Sequence, residues 1–161
     1  MAAANISQGK TRDMLSSKAK YGLKAMVHLA RKAGDGSVLI ADIAEAEIIP
    51  KKFLDAILLE MKKSGLLSSK KGKGGGYVLA RPAERIMVGD IVRLLDGPLA
   101  PVPCVSRTAY RRCDDCVDET ACAIRAVMGE VRDAIAGILD KTSLADLAFN
   151  MRPEPILMYD I

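Results

Sequence analysis

Every cysteine of the 161-residue chain lies between positions 104 and 122, in the pattern Cys104-x8-Cys113-x2-Cys116-x5-Cys122. Thiolates grouped this closely hold soft or borderline metals, and a C-x2-C knuckle serves zinc and iron–sulfur clusters alike. Pro98, Pro101 and Pro103 brace the segment before the first thiol, and Arg111, Arg112, Asp114, Asp115, Asp118 and Glu119 surround the others. So polar a loop argues against four inert core cysteines. The arginines favour thiolate and the acids oppose it. The spacing is compatible with a closed zinc site, with an iron–sulfur cluster and with a dithiol switch at Cys113 and Cys116. The single histidine, His28, falls inside a helical pattern and reads as packing or surface. No nucleophile–base pair and no paired carboxylates stand at usable spacing, which excludes an enzyme.

A second chemistry lies in residues 50–81. Eight Lys and Arg stand there against Asp55 and Glu60, a net +6, so with the whole chain at +4 the remainder sums to −2. A basic block in an otherwise near-neutral chain is a footprint for a polyphosphate partner, double-stranded promoter DNA above all. Within it Phe53, Leu54, Ile57, Leu58 and Met61 mark one face of a helix over 50–63, opened by Pro50 and closed at Ser64-Gly65. Two short strands, 66–69 and 77–79, flank a turn carrying Lys70, Lys71 and Lys73 with three consecutive glycines. A phosphate-binding P-loop is excluded, because a strand rather than a helix follows the glycines. Helix plus basic hairpin predicts a winged helix-turn-helix, with Lys52, Phe53 and Asp55 at the major groove, Lys51 on phosphate, and Lys70, Lys71 and Lys73 on backbone or minor groove. Phe53 also lies on the apolar face, so a core anchor is its competing role.

The remaining elements position these two sites. Residues 1–13 lack periodicity and read as a disordered leader. Ser16 or Ser17 caps a helix to about Lys32 with Leu23, Met26, Val27 and Ala30 on one side, and residues 40–48 form the first helix of the helix-turn-helix. Val88, Ile91, Val92 and Leu95 mark a helix stopped by Gly97-Pro98. From Ala123, a stripe of Ile124, Val127, Met128, Val131, Ile135, Ile138 and Leu139 runs more than four turns, followed by a short helix over 144–149 and a tail over 150–161. That stripe exceeds what one small winged domain can cover. Part of it is expected on the first helix and the rest on a second copy, a symmetric dimer suited to a palindromic operator.

The expected organisation is therefore mainly α with a small β-hairpin wing: leader 1–13, DNA-binding domain 14–97, cysteine sensor loop 98–122, dimerisation helix and short C-terminal helix 123–149, tail 150–161. Hydrophobic residues make up 50% of the chain, enough for one core. Aromatics at 4%, with no Trp, exclude a single-strand binder that stacks bases on rings. No run approaches a membrane span and no signal peptide opens the chain, so a cytoplasmic protein without membrane partners is expected.

MLSSKAKYGL at 14–23, the helix-turn-helix, the wing GKGGGYVLARP, the helix VGDIVRLLDG and a cysteine loop before a long helix together resemble the Rrf-two-type bacterial transcriptional regulators, the group of IscR, NsrR and CymR. The resemblance covers residues 14–148. It implies a homodimeric winged helix-turn-helix regulator, a repressor in the main, whose long helix pairs with its twin and whose loop senses iron–sulfur, redox or nitric-oxide status. In cluster-binding members three loop cysteines hold iron, and Cys104, Cys116 and Cys122 are similar to that trio. The positions where relatives place a fourth ligand hold Lys20 and Arg125 here, so Cys113 is the implied substitute in a 2Fe-2S or 4Fe-4S site. Zinc is the alternative occupant. Members that sense without a cluster imply a thiol- or metabolite-responsive repressor as a second reading, and a zinc-stabilised protein-interaction module is the reading from another class.

Overall fold

In the computed structural model, which describes residues 14–72 and 74–149, α1 (Ser17–Arg31) starts where Ser16 turns its hydroxyl back onto the chain. Ser16 Oγ accepts from the Ala19 N–H at 3.1 Å, satisfying one of the free donors of the first turn. The same residue donates its backbone N–H to Asp96 Oδ2 at 2.8 Å and its hydroxyl to Asp96 Oδ1, tying the start of α1 to a distant helix end. Ala19, Gly22, Ala25, Met26, Leu29 and Ala30 are its buried face. A Cβ on Gly22 would stand 2.2 Å from Leu95 Cδ1 and 2.8 Å from Met61 Cε, so a glycine lets three helices converge. The leader 1–13, Lys73 and the tail 150–161 lie outside the described residues.

Helix α2 (Ile40–Glu47) stops one residue earlier than the periodicity predicts, because Ile48 takes a left-handed conformation at φ 55°. A β-branched residue there costs on the order of 1–2 kcal/mol, and the 86% exposure of Ile48 shows that its side chain recovers little of it by packing. The turn delivers Ile49 to the core and Pro50 to the cap of α3 (Lys51–Lys63). In α3 the buried residues are Leu54, Ile57, Leu58 and Met61, at i, i+3, i+4 and i+7. Each fully buried side chain of this kind contributes roughly 1.5–3 kcal/mol. Phe53 lies beyond this face and is 61% exposed, so the core-anchor role is overturned.

Strands β1 (Leu67–Lys70) and β2 (Gly76–Leu79) pair antiparallel, Leu67 opposite Leu79 and Lys70 opposite Gly76. An unexpected third contact holds the root of this wing. Val38 bridges Tyr77 through a reciprocal pair of hydrogen bonds at 3.0 and 2.8 Å. A Cβ on Gly76 would lie 2.3 Å from the Val38 carbonyl oxygen, which requires glycine at that position.

Helix α4 (Val88–Asp96) ends at Gly97 with φ 87°. Irregular chain with one helical turn at Pro103–Val105 then leads to α5 (Ala123–Leu139) and α6 (Leu144–Phe149). Helix α6 returns to the first domain: Val88 N–H donates to Thr142 O at 2.9 Å, Leu144 N–H to Ile86 O at 2.7 Å, and Arg31 Nε to Ala148 O at 2.9 Å. Leu144, Ala145 and Ala148 are buried, with α6 packed on α1. Helix α5 rests on α4 and on the helical turn at Pro103–Val105, and part of its apolar side faces Leu23 of α1 across a cavity. Ile135 and Leu139 meet Leu23, Val88 and Val92 around an apolar cavity of about 430 Å3. None of its 17 residues is buried, and Ile124, Val127, Val131 and Ile138 are exposed. Among the described residues no helix is long and apolar enough to cross a membrane.

Candidate nucleic-acid interface and cysteine site

Because α3 buries only one stripe, its first turns present Lys51, Lys52, Phe53 and Asp55 to solvent as one group. No carboxylate pairs with either lysine among the described residues, so both charges are free for an external anion. Lys70 and Lys71 are likewise exposed, at the end of β1 and the start of the wing turn. Lys73 lies outside the described residues, so the structure places two of the three wing lysines.

The cysteine loop is built from local turns. Pro103–Val105 forms the helical turn that buries Cys104, 6% exposed, against the base of the loop. In the knuckle, Cys116 N–H donates to Cys113 O at 3.2 Å, while Arg112 Nη2 donates to Cys116 O at 2.8 Å and Val117 O at 3.1 Å. Asp118 then accepts from Thr120, N–H at 2.8 Å and Oγ1 at 2.7 Å, and these bonds hold its carboxyl below the ordinary range. Cys122 is the cap residue of α5, its Sγ accepting from Arg125 N–H at 3.4 Å.

All four cysteines open on one cavity of about 390 Å3, shared with Asp115, Asp118, Ile124 and Arg125. Their thiols are free. A hydrogen bond with Cys104 pushes the Cys113 thiol above its usual value, helped by burial and by Cys104, Asp115 and Cys116 as neighbouring acids. A metal binding at Cys113 would displace the thiol proton. Among the described residues no three His, Cys, Asp or Glu side chains are drawn close enough together to hold a metal ion. The donor chemistry suits a thiolate-bound metal, but the loop must contract to form a coordination shell.

These features agree with the comparisons. The Rrf2 profile, described as an iron-dependent transcriptional regulator, matches residues 15–150. The chain belongs to the Rrf2 family. It is 40% identical over 150 residues to an rrf2-like HTH-type transcriptional regulator of Rhodobacter capsulatus, spanning 91% of this chain and 100% of that one. Among solved structures it is similar to CymR, the global cysteine regulator of B. subtilis, at 34% identity and TM-score 0.72, covering 86% of this chain and 98% of CymR. It is also similar to T. potens IscR, at 30% identity and TM-score 0.69, covering 89% and 92%. Rrf2 proteins are transcriptional regulators, so this chain is a DNA-binding regulator with a winged-helix fold, not an enzyme.

In the sequence Arg125 reads only as a non-ligand at a position where relatives place one, and Arg132 has no role; both line a further cavity beside Cys104. Their spacing of seven on α5 was the available signal, since residues seven apart share a helix face.

Proposed function

We propose that this Rrf2 regulator acts as a homodimeric repressor on double-stranded promoter DNA and holds an iron–sulfur cluster on Cys104, Cys113, Cys116 and Cys122. The observation that carries the reading is the convergence of every cysteine on one cavity at the N-terminus of α5. An iron–sulfur cluster bound there supplies one-electron chemistry at a potential set by its thiolates and their hydrogen bonds. The remaining steps belong to the chain. Cys122 caps α5, so a change in how far apart the four thiols are held turns the start of that helix. Two copies pair through Ile124, Val127, Val131 and Ile138, spaced as a coiled-coil seam. Turning α5 within such a pair alters the separation of the two α3 helices, and only one separation matches both half-sites. Lys52, Phe53 and Asp55 read base edges, Lys51 neutralises phosphate, and Lys70, Lys71 and Lys73 grip the backbone or minor groove.

Protein purified without oxygen is expected to contain iron and sulfide and to absorb in the visible. Cys→Ala at Cys104, Cys116 or Cys122 abolishes the absorbance, whereas Cys113→Ala weakens it. Stoichiometric zinc without iron would replace the cluster by a zinc-braced repressor. The free thiols gathered on one cavity and the similarity to a global cysteine regulator favour a second reading, a cluster-free thiol-responsive repressor. In that case neither metal copurifies, and DNA affinity changes on thiol oxidation.

A further inference from the structure

Cys104 and Arg125 each line two cavities. One is the cysteine cavity; the other, of about 270 Å3, is lined by Cys104, Val105, Ser106, Tyr110, Arg125, Gly129 and Arg132. We propose that this second cavity binds a small oxyanion (carboxylate, sulfate or phosphate) between Arg125 and Arg132, and that its occupancy is felt at the cysteine loop.

The charge balance is the first argument. Arg132 is anchored by Nη1 donating to Val105 O at 2.6 Å, with Nε and Nη2 on the Asp133 carboxylate at 2.9 and 2.8 Å. Asp133 also serves Arg107 at 2.9 Å, so one carboxylate already answers two guanidinium groups. Arg125 is only partly exposed and has no carboxylate partner among the described residues. Its side chain makes one bond, Nε to Cys104 O at 3.4 Å, which leaves both terminal nitrogens as donors. A guanidinium withdrawn from water without a counterion favours an anion from solution. Glu119 accepts from the Tyr110 hydroxyl, while Asp115 and Asp118 line the cysteine cavity, and among the described residues no acid lines this one.

Shape and donor placement are the second argument. Ser106 is buried, and its Oγ accepts from Ala109 N–H at 2.9 Å, so its own hydroxyl hydrogen is free to donate. A Cβ on Gly129 would meet nothing within 4 Å, which keeps the helix side of the cavity open. A volume of about 270 Å3 gives room for a small anion. Arg125 transmits occupancy because its side chain reaches the Cys104 carbonyl while its backbone N–H holds Cys122 Sγ. That regulatory half rests on the cysteine loop being the sensor; the pocket itself does not.

The test is calorimetric titration of reduced, full-length protein in low-chloride buffer with sulfate, inorganic phosphate and succinate separately. Which anion binds tightest separates the inorganic from the carboxylate source. One saturable site per protomer is expected, weakened at least tenfold by Arg125→Gln. Gly129→Leu, which fills the cavity without removing a charge, should have the same effect, while Arg85→Gln, a charge change outside the cavity, leaves binding unchanged. No saturable binding with any of the three, or wild-type binding in both pocket variants, would overturn the site. Iodoacetamide labelling of the cysteines should slow at least threefold at saturating anion; an unchanged rate with intact binding would overturn the coupling alone. Neither measurement needs iron, so failure of the cluster reading appears separately, in metal content.

Discussion

In α3, Leu54, Ile57, Leu58 and Met61 are each at most 1% exposed, whereas in α5 Ile124, Val127 and Ile138 are each more than half exposed. Both helices nevertheless carry apolar residues at intervals of three and four. The difference lies in their surroundings: α3 is enclosed by α1, α2 and β1, while α5 is met chiefly by α4 and the helical turn of the cysteine loop. An apolar stripe states that a face is to be covered and leaves open by what. For α3 the cover is in the same chain. For α5 the cover proposed above is a second copy, which would give the two-fold symmetry of a palindromic operator.

Substitution tests this contrast directly, and the largest effect belongs to α3. Leu58→Ala should cost about 2–5 kcal/mol in denaturant unfolding, because a rigid, fully enclosed site leaves a cavity. Ile138→Ala should change the stability of an isolated protomer by less than about 0.5 kcal/mol, as for an ordinary surface position. It should still make the melting temperature fall more steeply on dilution, as mass action requires of a weakened dimer. Val131→Asp with Ile138→Asp should give folded monomers by sedimentation. A wild-type chain already monomeric at micromolar concentration would break the comparison.

The exposed side of α3 provides the next test. Lys52→Ala is expected to weaken or relax operator binding by about 1–3 kcal/mol, the worth of a bidentate base contact. Changing Lys70, Lys71 and Lys73 together to Ala should lower the slope of log K against log salt by about 0.9 for each phosphate that is no longer neutralised, without altering sequence preference. A slope identical to wild type removes the wing from the interface.

The smallest effect is at the joint between α4 and α5. Arg93 forks onto Asp140 at 2.6 and 2.8 Å, and this bond holds the Asp140 carboxyl below its ordinary value of 3.8. A depressed folded pKa means stability that is present above pH 3.8 and lost as pH falls through the lower folded value. Both side chains are more than a third exposed, so solvent screening leaves about 0.5 kcal/mol. Asp140→Asn should be weaker by that amount at pH 7, and the two stability curves should converge in acid.

What the sequence made legible was what local periodicity and turn chemistry encode. The end of α3 at Lys63, the stop of α4 at Gly97 and the start of α5 at Ala123 all follow from such signals. The misses depend on distant partners. Phe53 lies next to Leu54 in sequence, yet a helix turns by about 100° per residue, and only the placement of α1 decides which of the two is enclosed. The Val38–Tyr77 bridge joins residues with two helices between them and leaves no local trace. Arg125 reads only as a non-ligand at a position where relatives place one, until the Pro103–Val105 turn places Cys104 O against it. The four thiols are grouped by spacing alone, but the burial of Cys104 beside half-exposed partners comes from the fold.

Positions 22, 61 and 95 can change only in step. A methyl at Gly22 would fall on the ends of Leu95 and Met61, and both side chains are enclosed, at 6% and 0% exposure, with little space to swing into. A lineage in which Gly22→Ala comes first must carry a strained junction of α1, α3 and α4 until residue 95 or 61 shortens. One that shortens Leu95 first carries a void instead. Either order passes through a less stable intermediate, so the stability effects of the three sites are coupled. The helix that bears Lys51 and Lys52 is thus seated by a junction whose tolerance is set by packing on its opposite face.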